Sequence, residues 1–199
     1  MSVGRQHRIA VTGGPGGGKT TAVDLFRREL GERVVVVPEA ATMLFSGGFP
    51  RDGDARARRA AQRAIYHVQR NIEDIQCAHY PDRVLLCDRG TVDGGAYWPD
   101  SSDDFFADVS SRLVDELARY DAVVFFETAA VGGMSIEGGN LMRVESEPDA
   151  VMLDRKLRTM WRQHHAFSLV EHRASFFEKL TIGLDAIRQT INALDGKPT

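Results

Sequence analysis

Short apolar runs rich in β-branched and aromatic residues alternate along this chain with longer segments whose apolar positions recur every three or four residues. Residues 8–12, 34–38, 84–88, 122–127 and 167–171 read as strands. Runs such as VVVV and VLLC leave no polar face, which predicts strands covered on both sides and therefore a parallel sheet. The segments between them read as helices. The first, 18–30, packs through Val23, Leu25, Phe26 and Leu30 and stops at Gly31; a short one follows Pro38 and ends near Gly47 and Gly48. A long helix over 54–79 carries Ala57, Ala61, Ala64, Ile65, Val68, Ile72 and Ile75 at helical spacing. Another spans 103–119, with Phe106, Val109, Leu113, Val114 and Leu117 facing inward. Ser146 with Asp149, and Ser175 with Glu178, mark two further helix starts, the last helix packing through Phe176, Phe177, Leu180, Leu184, Ile187 and Ile191. Strand and helix thus alternate, the pattern of an α/β domain, and 199 residues suffice for one such domain with a real core.

Residues 13–20, GGPGGGKT, change the picture from fold to chemistry. They satisfy the phosphate-loop pattern in full and sit where that pattern requires, between a strand and a helix. Amide groups can converge on phosphate oxygens only where side chains are absent, which accounts for Gly13, Gly14, Gly16, Gly17 and Gly18. Lys19 is placed to reach the β- and γ-phosphates, Thr20 to offer a hydroxyl to Mg²⁺, and Thr21 to extend the site into the first helical turn, whose positive end favours an anion. ATP or GTP with Mg²⁺ is the expected ligand.

Three further features fall at the same edge of the predicted sheet. Asp88 ends the third strand, where a carboxylate joins the Mg²⁺ shell or simply closes a turn. Arg89, next to it, pairs either with a substrate phosphate or with an acidic neighbour. Glu39, after the second strand, is placed to take a proton from an attacking hydroxyl, a role compatible with its also opening a helix behind Pro38. The small, glycine-rich stretch 128–140 reads as a mobile loop within a lid of about residues 128–148. Arg143 and the helical Arg155, Arg158 and Arg162 are the candidates to close on a triphosphate, Arg143 first. The base is expected near residues 172–174, and Tyr97 with Trp98 either stack an acceptor ring or pack in the core.

Composition narrows the partners. With 25 Lys and Arg against 28 Asp and Glu, and no basic tail, nucleic acid is not expected as the main partner. Cys77 and Cys87 fall in a helical and a strand pattern, as buried thiols rather than a disulfide, and His164 with His165 lack companions at metal-ligand spacing. No apolar run reaches membrane-spanning length and the start lacks a signal-peptide core, so a cytoplasmic protein is expected.

Taken together, VTGGPGGGKTT, VVPEAA, AQRAIYHVQR, LLCDRGTVDGGAYW, LMRVESEPDAVMLDRKLRTMW and HHAFSLVEHRASFFEKL resemble the small AAA-type ATPase-domain family of P-loop proteins, itself similar to the ribosylnicotinamide kinase domain of NadR and the TRPL translocation defect protein. More distantly, Glu39 and the Asp88-Arg89 pair are similar to features of thymidylate and deoxynucleoside kinases. The resemblance implies a three-layer P-loop fold with strand order 2-3-1-4-5, a nucleoside triphosphate at the loop, and an acceptor pocket between the long helix and the lid. Motor activity is not implied, since the chain is too short for a helical lid domain. The leading expectation is a kinase-like phosphotransferase acting on a small molecule such as a nucleoside or nucleotide. A regulatory ATP- or GTP-hydrolysing switch is the alternative, and a nucleotide-stabilised scaffold a third; N-K-x-D, which would read guanine, is absent.

Overall fold

The computed structural model describes residues 6–51, 53–132 and 146–196. Five strands, β1 (Arg8–Thr12), β2 (Val34–Val37), β3 (Val84–Asp88), β4 (Ala122–Phe126) and β5 (Phe167–Val170), form one parallel sheet in the order β2-β3-β1-β4-β5. Strand alternation divides the core into two layers. Ile9, Val11, Leu86, Val124 and Phe126 point to the face covered by α1 (Lys19–Leu30) and α8 (Phe176–Leu194), through Phe26, Leu184 and Ile187. Ala10, Leu85, Cys87, Val123 and Phe125 point to the other, where Tyr66, Phe105, Leu157 and Trp161 complete the core. Each fully buried side chain of this size contributes about 1.5–3 kcal/mol, so the strands are fixed in register by both faces.

The opposite face is built from α3 (Ala55–His79) and α7 (Glu147–Trp161), with α2 (Ala40–Ser46), α4 (Gly94–Tyr97), α5 (Ser102–Asp108) and α6 (Leu113–Leu117) filling between. Side-chain caps start the long helices where the sequence places them: Asp54 accepts from the Arg56 and Ala57 amides, Ser146 from Asp149, and Ser175 from Glu178. Gly31, at φ 57°, ends α1.

Two expectations fail locally. The helix expected over 103–119 is two helices, because Ser110 adopts φ 54° and the Ser111 and Ser110 amides donate back to Phe106 and Ala107. This is a helix stop normally built on glycine, so serine hides it. In α3 the buried positions are Ala61, Tyr66, Gln69 and Glu73, while Ile75 is 52% exposed. The buried face is polar because Glu73, fully covered, accepts from Arg119, Tyr120 and Gln69. Val114, Phe176 and Phe177 are likewise exposed rather than in the core. Cys77 and Cys87 are free thiols, and no helix among the described residues is long and apolar enough to cross a membrane.

Candidate functional site

The phosphate loop joins β1 to α1 directly over the end of β4. A Cβ on Gly13 would lie 2.0 Å from the Phe126 carbonyl oxygen, and one on Gly18, at φ 81°, 2.3 Å from the Phe176 ring, so neither tolerates a side chain. No side chain caps α1, which leaves its first-turn amides for an outside anion. Lys19 is buried, and its ammonium donates to the Gly14 carbonyl at 2.7 Å. Burial, with the Arg89 charge nearby, pulls it down to about 7; Asp88, Glu39 and Asp93 work in the opposite sense.

Residues the sequence did not single out hold this loop from behind. Asp154 of α7 accepts through one oxygen from the amides of Gly14 (3.0 Å) and Thr128 (2.9 Å). The Thr128 hydroxyl donates to the Pro15 carbonyl. Lys179 of α8 donates to the carbonyls of Gly17 (3.0 Å) and Glu127, and burial brings it down to about 8. The only sequence signal for either would have been a charged residue on an otherwise buried helix stripe.

At the end of β3 the acidic residues take different parts. Asp88 is 4% exposed; the nearby Thr20 hydroxyl favours its charged form, yet its Oδ1 has no donor among the described residues. Burial and the nearby Glu39 charge push its pKa up to about 6. Arg89, at φ 74°, donates to Glu39 through Nε, and through Nη1 to Asp93 (3.0 Å) and the Gly13 carbonyl (3.3 Å). Glu39 is the N-cap residue of α2, as the helix-start reading anticipates, and also accepts from the Thr42 hydroxyl. Burial opposes its ionisation, but Arg89, Thr42 and Lys19 outweigh burial and hold the carboxyl below the usual range. Asp93, absent from the sequence candidates, collects Thr12, Trp161 and Arg89.

Gly16, Gly18, Lys19, Thr20, Thr21, Glu39 and Arg89 line one cavity of about 1160 Å³. It runs on between α3 and α4, past Gln62, Tyr66, Gln69, Tyr97 and Trp98. The face that α7 turns to it carries Asp149, Met152, Leu153 and Lys156, not the arginines. Arg158 instead donates to Glu127 at 3.1 Å, and Arg162 is exposed at the C-cap of the helix, away from the cavity lining. Helical periodicity explains the error: Arg155, Arg158 and Arg162 do share a face, but Met152 and Lys156 define the one that meets the cavity. Arg143 and most of the glycine-rich stretch lie outside the described residues. Of residues 172–174 none lines the cavity; Phe176 does.

A phosphate loop, an acidic end to the adjacent strand and the 2-3-1-4-5 sheet agree with the comparison that decides the family: residues 8–179 match the family model described as AAA domain. The chain belongs to the AAA domain family. This AAA domain superposes on the solved structure of deoxyadenosine kinase from M. mycoides with bound dATP at TM-score 0.65 and 15% identity, covering 92% of this chain and 100% of that one. That likeness is one of fold, and it places the AAA domain among P-loop folds of the kinase type. No curated protein matches the sequence.

Proposed function

We propose that this P-loop protein is an ATP-dependent phosphotransferase that phosphorylates a hydroxyl of a small molecule such as a nucleoside or nucleotide. The observation that carries the reading is the continuity of the cavity: it holds the phosphate loop and Glu39 together and then extends into a wall of aromatic and amide side chains. A hydrolytic switch needs room for one water beside the γ-phosphate; this cavity has room for an acceptor as well.

The residues divide the work. Loop amides from Gly16 to Thr21, with Lys19 released from Gly14, hold the β- and γ-phosphates. Among the described residues no cluster of three or more His, Cys, Asp or Glu forms a metal cage. Thr20 and the unpartnered Asp88 Oδ1 would be the protein's contribution to a divalent ion's shell, a donor set of hard oxygens that fits Mg²⁺. Bound there, Mg²⁺ neutralises charge on the phosphates. Glu39, kept ionised by Arg89, accepts the acceptor's proton as its oxygen bonds to the γ-phosphorus and the bridging oxygen leaves with ADP. Arg89 acts by locking Glu39 and facing the cavity. GTP in place of ATP uses the same phosphate contacts. Residues 1–199 act as one domain, in the reducing cytoplasm that two free thiols suit.

Nucleosides and nucleotides offered with ATP and Mg²⁺ should give saturable, acceptor-dependent ADP formation. Glu39→Gln should cut that turnover by about a hundredfold or more while ATP still raises the melting temperature. Basal hydrolysis indifferent to every acceptor, and unchanged in Glu39→Gln, would refute the proposal in favour of a switch.

A further inference from the structure

The chain has two tryptophans, and their indole N–H groups are treated differently. Trp161 donates to Asp93 Oδ1 at 2.7 Å. Trp98 is 4% exposed, its Nε1 has no solvent-accessible surface, and among the described residues nothing accepts from it. A buried indole N–H ordinarily finds a partner, and leaving one without costs more than a surface donor would. This one belongs to a side chain in the wall of the cavity, at the end of α4, with its ring against Phe105 at 5.4 Å between centroids.

Resting on the phosphotransferase reading above, we propose that Trp98 is a specificity-determining residue whose indole N–H donates to an in-plane heteroatom of the acceptor's ring, so that the acceptor is a nucleoside whose base presents a carbonyl oxygen or an unprotonated ring nitrogen to α4. The reacting hydroxyl is placed beside Glu39, a carboxylate in the lining that the phosphate loop shares. What remains of such an acceptor is a flat ring, and the lining that includes Trp98 also holds Ile65, Tyr97 and Gln62, apolar and amide groups of the kind a base packs and pairs against. A sugar alone or an aliphatic alcohol fills none of this. Nε1 is covered in this structure, so the ring reaches it as the wall to which Trp98 belongs moves on binding. Discrimination then follows from pairing: an analogue with carbon or N–H at that ring position leaves the indole N–H unpartnered and is rejected.

The test uses the full chain labelled with ¹⁵N, in which two indole resonances are expected and Trp98→Phe assigns them by loss of one. Deoxyadenosine, deoxyguanosine, deoxycytidine, thymidine and their ribose counterparts are titrated in, with ribose as control. At least one nucleoside should shift the Trp98 indole saturably while Trp161 stays in place and ribose moves neither. For that nucleoside, Trp98→Phe should raise KM about tenfold or more with kcat little changed, and the variant should keep the parent's rise in melting temperature with ATP, which shows that it is folded. If a nucleoside is phosphorylated but the Trp98 resonance stays still and Trp98→Phe keeps the parental KM, the assignment of Trp98 is overturned and the phosphotransferase stands. If no nucleoside is phosphorylated or shifts either indole, both fall.

Discussion

Asp88 and Asp93 stand five positions apart after the same strand, and both are almost fully covered, at 4% and 5% exposure. Asp93 is saturated: the Thr12 hydroxyl lies 2.9 Å from each of its oxygens, Trp161 donates to Oδ1, and Arg89 donates to Oδ2. Asp88 has the Thr20 hydroxyl nearby and an oxygen with no donor at all among the described residues. A buried carboxylate that has gathered its donors from β1, the residue after β3, and α7 ties those parts together. One left short has capacity for a cation from outside. The two tryptophans repeat the contrast, Trp161 being spent on Asp93 and Trp98 on nothing among the described residues. Partner counts therefore distinguish side chains that burial does not: Asp93, although it borders the cavity, is spent within the fold, while Asp88 beside the phosphate loop keeps an oxygen to spare.

The contrast is broken most directly at Asp93. Asp93→Ala strips Arg89, Thr12 and Trp161 of their shared acceptor and leaves a mostly buried guanidinium with one fewer carboxylate, so the nucleotide-free protein should lose about 3–5 kcal/mol in urea unfolding. Asp88→Ala should lose far less, having little to strip. Equal losses would show that saturation does not distinguish them. A smaller effect is expected at Lys19, which is also inward-facing in the empty site through Gly14 but has its work on the nucleotide. Lys19→Ala should remove most of the stabilisation that saturating ATP with Mg²⁺ gives the parent, about 2.7 kcal/mol at a hundredfold excess over Kd, while barely changing the empty protein. A melting shift equal to the parent's would take Lys19 out of the phosphate site.

The distinction also explains what the sequence disclosed. Strands, sheet direction and the phosphate loop were readable because each rests on local pattern: β-branched runs, glycine at positive φ, and a cap residue next to its helix. Glu39, Asp88 and Arg89 were readable because strand ends at one sheet edge converge by topology. Asp93, Asp154 and Lys179 were not, since each acts on a segment far away in the chain, Asp154 on Gly14 and Lys179 on Gly17. Nothing local marks a charge as buried. The same blindness hid the polar part of the inner face of α3, where Glu73 meets Arg119 and Tyr120 from another element, and put the cleft face of α7 on its arginines when Met152 and Lys156 hold it.

The smallest expected effect sharpens the Asp88 half of the comparison through its titration. Its pKa in the folded protein is raised to about 6 from an ordinary 3.8, by burial first and Glu39 second. Between those values the native state retains a proton that the unfolded chain has released, so the difference in bound protons, unfolded minus native, is negative and stability falls as pH rises through this window. The contribution is fully unfavourable above about pH 6, where Asp88 is charged and short of donors. Asp88→Asn removes it. The nucleotide-free variant should match the parent near pH 4 and become the more stable of the two by pH 7, the gap opening across the window in urea titrations. ATP with Mg²⁺ should then reverse the order at neutral pH, because the cation that compensates the charge has no carboxylate to meet in the variant. Parallel pH profiles, or a variant that gains as much from Mg²⁺ as the parent does, would make Asp88 a second Asp93, a part of the frame and not of the site.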